Sequence, residues 1–166
     1  ALRRRAPERV TRIALMNTTP IAETPPAAAA REPLIVRAQT GKLEEVMRDR
    51  LPPRDLAPGP RRKDVLQLHM EMALDLGPQV FVAQSRAMQR RPDQQKTLLA
   101  ARLPALVLSG AHDGLYPVAK QEFMAGLLPG ADLLILPDAG HLPTLECPDA
   151  VNAALTDWFA QPLVLR

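Results

Sequence analysis

One cysteine, Cys147, occurs in 166 residues, so no internal disulfide can form and stability must come from packing. A lone thiol fits a reducing compartment, and the chain is expected to be cytoplasmic. Aromatic residues make up 3% of the chain, with one Trp, one Tyr and three Phe. The core must therefore be mostly Leu, Val, Ala and Met. The same scarcity argues against nucleic acid as a partner. The basic clusters Arg3-Arg4-Arg5 and Arg61-Arg62-Lys63 carry no interleaved aromatics, and the net charge is only +3. They read as solvated faces rather than as a nucleic-acid groove. No apolar run is long enough to cross a bilayer, so no membrane partner is expected. No clustered His/Cys/Asp spacing suits a metal, and no organic cofactor is implied. Serine is nearly missing too: Ser85 and Ser109 are the only two.

What is present suits a folded domain. Apolar residues reach 46%, and a chain of this length can bury about two-thirds of its unfolded surface. The opening ALRRRAPERV has no Met, and Ala1 to Ala6 reads as a helix tail ended by Pro7. A targeting segment, if the protein has one, is expected to lie out of view.

Apolar patterning divides the chain. VTRIALM, Val10 to Met16, reads as a short strand, stopped by Asn17-Thr18-Thr19-Pro20. Pro25-Pro26 can open a helix that runs through Gln39 to a stop at Gly41. Lys42 to Leu51 suggests another helix, and the stretch Leu51 to Pro60, with four prolines, marks a loop. Val65, Leu68, Met72 and Leu76 fall at helical spacing before Gly77-Pro78, and Pro78 to Arg90 is helical again. Residues 20–91 thus read as a helical insert, with 1–19 and 92–166 as the core around it.

After Pro92 the rhythm changes. Asp93 can cap a short helix to Ala101. Leu103 to Ser109 is a compact apolar strand without polar alternation, as parallel strands covered on both faces read. Pro117 to Leu128 is a helix with Val118, Phe123, Leu127 and Leu128 toward a sheet, and Ala131 to Leu136 is the next strand. Pro148 opens the last helix, with Val151, Ala154, Leu155, Trp158 and Phe159 as its buried stripe. Strand, helix, strand, helix in this order predicts an α/β fold with a parallel sheet and right-handed crossovers.

Ligands meet open parallel sheets at the carboxyl ends of strands. Asp113 and His141 both lie there, after consecutive strands, so their loops should be neighbours. A carboxylate beside an imidazole holds its tautomer and stabilises the imidazolium when a proton arrives. Blander readings stand beside this one. Asp113-Gly114 is also a common turn dipeptide, and His141 also reads as an incidental loop residue. His69 lies in a helix as a partly buried polar residue, and His112 should point away from Asp113.

GAHDGLYP after one buried strand, and PDAGHLPTLECPDAVNAALTDWF after the next, resemble the C-terminal part of the α/β-hydrolase fold. Gly140, His141, Glu146 and Pro148 form its Gly-His-x-x-x-x-Glu-x-Pro arrangement. APERVTRIALMNTTP is similar to the segment after the family's nucleophile helix, and the insert then corresponds to its helical cap. The resemblance implies a partial fold of three parallel strands with flanking helices. It also implies that Asp113 is the catalytic acid and His141 the base.

The chain departs from the family pattern in one respect. It contains no G-x-S-x-G nucleophile elbow, which the family places upstream of acid and histidine. Ser85 falls in the insert and Ser109 inside a strand. The chain thus reads as the C-terminal part of a hydrolase, inactive alone, whose parent acts on a small apolar ester, lactone or related acyl substrate. Its expected partners are that small molecule and either the missing N-terminal half or a second copy across an exposed sheet edge. A dehalogenase-type relative with an aspartate nucleophile, a perhydrolase, a carbon–carbon bond hydrolase and a non-catalytic binding protein remain alternatives.

Overall fold

The computed structural model describes residues 5–162. The expected helix tail at Ala1 to Ala6 falls mostly outside them, and Pro7–Arg9 forms a 3-10 turn. The chain divides into two compact units. The first gathers the described residues of Ala1–Pro20, Arg54–Pro58 and Gln94–Arg166. The second holds Ile21–Pro53 and Gly59–Asp93. Residues 54–58 lie within the span read from the sequence as insert, yet they cluster with the first unit.

The first unit is built on three parallel strands in sequential order: β1 (Ile13–Met16), β2 (Ala105–Gly110) and β3 (Asp132–Leu136). In register, Ile13 stands beside Ala105, and Leu106 beside Asp132. β1 is shorter than the expected Val10 to Met16. Its ladder begins where Ile13 N–H donates to Pro104 O at 3.0 Å.

β2 is buried at every position because both of its faces are covered. Ala105 and Val107 turn to one side, where they meet Met124 and Leu128 of α6 (Val118–Leu127) and its following residue, together with Leu98 of α5 (Gln95–Leu99). Leu106 and Leu108 turn to the other side and meet Val151 and Trp158 of α8 (Pro148–Ala160). Alternation of side chains across a strand thus splits one apolar run into two cores. α7 (Pro143–Glu146) is a single turn before α8.

Two helix faces differ from expectation. In α6 the buried residues are Gln121 and Met124, followed by Leu128, while Phe123 is exposed. In α8 the stripe Val151, Ala154, Leu155 and Trp158 holds, but Phe159 is 62% exposed. Each outlier sits one residue, about 100° of helix, beyond the buried row. Asp93 does not cap α5: Gln94 occupies that position.

The second unit is helical: α1 (Pro25–Ala29), α2 (Arg31–Gln39), α3 (Leu43–Arg50) and α4 (Arg62–Gln89). The single helix expected from Pro25 to Gln39 is broken at Ala30. Pro33 has no N–H to offer Ala29 O, and its ring crowds that carbonyl. α4 joins the two helices expected there across a kink at Gly77 (φ 78°). Ile35, Ala38, Val46 and Val65 form the buried centre. Of the apolar stripe read along α4, Val65 is buried, while Leu68, Met72 and Leu76 are exposed. Met72 and Leu76 line a hollow of about 200 Å³ with Leu43, Met47, Val80 and Phe81. No helix among the described residues is long and apolar enough to cross a membrane.

Candidate active site

The carboxyl ends of β2 and β3 carry the site. β2 ends at Gly110, and the chain turns at once into the loop holding Asp113. The β3 loop runs beside it. Ala111 N–H donates to Leu136 O and His112 N–H to Ala139 O, both at 2.9 Å, so the ladder continues past the strands. Both loops must be thin to lie this close. A Cβ on Gly110 would sit 2.2 Å from Gly140 O, and one on Gly140 would sit 2.5 Å from Leu56 Cα.

Asp113 and His141 meet. Nδ1 of His141 lies 3.0 Å from Oδ2 of Asp113. The Asp113 side chain is fully buried, and that of His141 is 22% exposed. A buried carboxylate needs hydrogen bonds to replace water. Asp113 has them: Oδ1 accepts from Leu115 N–H at 2.8 Å and Tyr116 N–H at 2.9 Å. This is the Asx geometry of a turn aspartate. The turn contacts and the contact with His141 are thus made by different oxygens of the same carboxylate. With Oδ2 accepting, Nδ1 carries the proton, and in the neutral ring Nε2 then holds the lone pair. The Tyr116 ring stands 5.8 Å from the His141 ring, tilted by 39°.

The histidine backbone is clamped as well. His141 N–H donates to Asp55 O at 2.8 Å. Glu146 accepts three backbone N–H groups, from Ala57 at 2.7 Å, Gly140 at 2.9 Å and Leu142 at 2.9 Å. The short segment 54–58 therefore straps the histidine loop, and Glu146 is the buckle. Sequence reading placed Glu146 in a motif without a role and missed Asp55 and Ala57 altogether. No local pattern announces a backbone carbonyl that waits for a partner 86 residues later.

The remaining candidates make no contact of their own with this pair among the hydrogen bonds described above. His112, expected to point away from Asp113, is exposed. His69 lies in α4, in the second unit, as does Ser85. Ser109 is fully buried within β2. Among the described residues, no group of His, Cys, Asp and Glu could hold a metal ion.

Known proteins resemble the chain in sequence and in fold. Over 169 residues the chain is 31% identical to pimeloyl-[acyl-carrier protein] methyl ester esterase of Aromatoleum aromaticum, covering 94% of this chain and 67% of that protein. The chain belongs to the α/β-hydrolase family. Its fold superposes on a thermophilic esterase from Thermogutta terrifontis with a TM-score of 0.87, at 27% identity, over 95% of this chain and 58% of that one. It also matches the enol-lactonase from Burkholderia xenovorans with a TM-score of 0.81, at 25% identity, over 97% of this chain and 60% of that one. The chain thus spans less than two-thirds of the α/β-hydrolases of known structure that it matches here. Shorter local matches to other curated proteins span 14% to 25% of their length. No family model matches the chain.

Proposed function

We propose that the chain supplies the acid and base of an α/β-hydrolase that cleaves small apolar esters or lactones. The observation that carries this reading is the 3.0 Å pairing of a buried, doubly anchored Asp113 with a partly exposed His141. His141 Nε2 takes the proton of a serine hydroxyl as that oxygen bonds to the substrate's carbonyl carbon. Asp113 stays ionised, orients the ring and stabilises the imidazolium. The imidazolium then protonates the departing alkoxide, leaving an acyl-enzyme. Water then bonds to the acyl carbon as it gives a proton to His141, and the imidazolium returns that proton to the serine oxygen as the acyl–serine bond breaks and the acid leaves.

Neither serine of this chain suits that role, and no G-x-S-x-G occurs in it. The nucleophile and the oxyanion donors are proposed to come from sequence beyond these 166 residues. The esterase and lactonase relatives support the substrate class. We further propose that the helical unit serves as a cap.

The test is hydrolysis of short p-nitrophenyl esters and simple lactones by the protein that carries this chain. A fluorophosphonate probe, which labels activated serines, is used in parallel. Hydrolysis and labelling are expected, and His141→Ala is expected to abolish both. Absence of hydrolysis across both substrate series, with no labelled serine, would put a non-catalytic binding protein in front.

A further inference from the structure

β1 ends at Met16, yet the ladder continues for one more rung, with Asn17 N–H donating to Leu108 O at 3.1 Å. There the chain turns sharply. Asn17 has φ +42°, a left-handed conformation that asparagine tolerates better than most residues. It is the sole non-glycine residue with positive φ among the described residues, and it is buried. The next carbonyl, Thr18 O, accepts from the amide of Gln121, a fully buried side chain on α6, at 2.9 Å. The turn is therefore braced from the helix side.

The Asn17 side chain lies across both site loops. Its Oδ1 accepts from Gly110 N–H at 3.1 Å, and its Nδ2 donates to Gly140 O at 2.6 Å. The two bonds have opposite polarity, so only one orientation of the amide satisfies both. Gly110 starts the loop that carries Asp113, and Gly140 directly precedes His141. One primary amide thus ties the root of the acid loop to the root of the histidine loop, from a third strand.

We infer that Asn17 is a positioning residue for the Asp113–His141 pair. It sets the separation of the two loops, and through it the length and angle of the Nδ1···Oδ2 bond. The inference rests on the proposed catalytic reading of that pair. Displacements of about 1 Å in such constellations cost on the order of a hundredfold in rate.

Two variants test it in the protein that carries this chain. Asn17→Gly keeps the positive φ and removes both bonds. Asn17→Asp keeps the shape and the Gly110 bond, but sets an oxygen against Gly140 O. The first readout is the NMR signal of the His141 Nδ1 proton and the tautomer reported by the ring nitrogens. The second is kcat and KM for a short activated ester. In either variant that folds, the Nδ1 proton is expected to broaden or shift, with mixed tautomers. The kcat is expected to fall roughly tenfold to a hundredfold while KM changes by less than about twofold. A folded Asn17→Gly or Asn17→Asp with an unchanged His141 spectrum would overturn the inference. If the unaltered protein shows the bonded Nδ1 proton but hydrolyses nothing, the hydrolase reading fails, and the spectra alone then judge Asn17.

Discussion

Replacing Asp113 by Asn should switch off the histidine without unfolding the protein, and the hydrogen bonds say why. Oδ1 of Asp113 faces two N–H donors, Leu115 and Tyr116, while Oδ2 faces His141 Nδ1. An asparagine will keep its carbonyl oxygen toward the two donors, because the opposite orientation sets an NH₂ group against both. That choice aims the amide N–H at Nδ1. Nδ1 must then accept, so the ring's proton moves to Nε2, and the nitrogen needed as base is no longer free. The expected loss is about 10⁴-fold in kcat, equivalent to roughly 5 kcal/mol of barrier. Stability should change by about 1 kcal/mol or less, since every buried polar atom still has a partner. The assay pairs steady-state hydrolysis with urea unfolding, and ¹⁵N spectra of His141 report the tautomer directly. Activity within tenfold of the unaltered protein, or an Nδ1-protonated ring in folded Asp113→Asn, would refute the reasoning.

Glu146→Gln should lower stability by about 2–4 kcal/mol in urea or thermal unfolding. Its amide can keep the two donors on one side, but it places an NH₂ group against Leu142 N–H and gives up the charge on all three bonds. Gly140→Ala should destabilise by about 1–3 kcal/mol and depress hydrolysis. The new methyl would meet Leu56 Cα at 2.5 Å and Asp55 O at 2.6 Å, backbone atoms that cannot swing aside. In the helical unit, the hydrogen bond from Arg31 holds the Glu23 carboxyl below its ordinary range. A depressed folded-state value contributes stability above the unfolded value that is lost as acid protonates the folded carboxylate. Between about pH 5 and pH 3, Glu23→Gln should therefore lose less stability than the unaltered protein, as followed by circular dichroism.

The order of elements, the parallel character of the sheet and the two residues of the pair were legible from local pattern. Short apolar runs bounded by Pro and Gly mark buried strands, and a loop after each strand is where such sheets place chemistry. Asp113 and His141 could be found because one strand–helix–strand repeat separates them, which makes their loops neighbours in any right-handed crossover. Helix faces were less legible. Phe123 and Phe159 fit an apolar stripe as well as Met124 and Trp158 do, and only the direction of the sheet decides which row is buried.

The supports of the site belong to tertiary structure alone. Asn17 reads as an ordinary turn residue until β1 is laid beside β2, when its amide falls between Gly110 and Gly140. Asp55 and Ala57 sit in a proline-rich loop with no periodicity, and what they offer the histidine loop is backbone, which side-chain pattern does not encode. Periodicity reports which residues shun water along one element. Which donors and acceptors meet across elements is settled only when the chain closes on itself, because every buried backbone group must then find a partner.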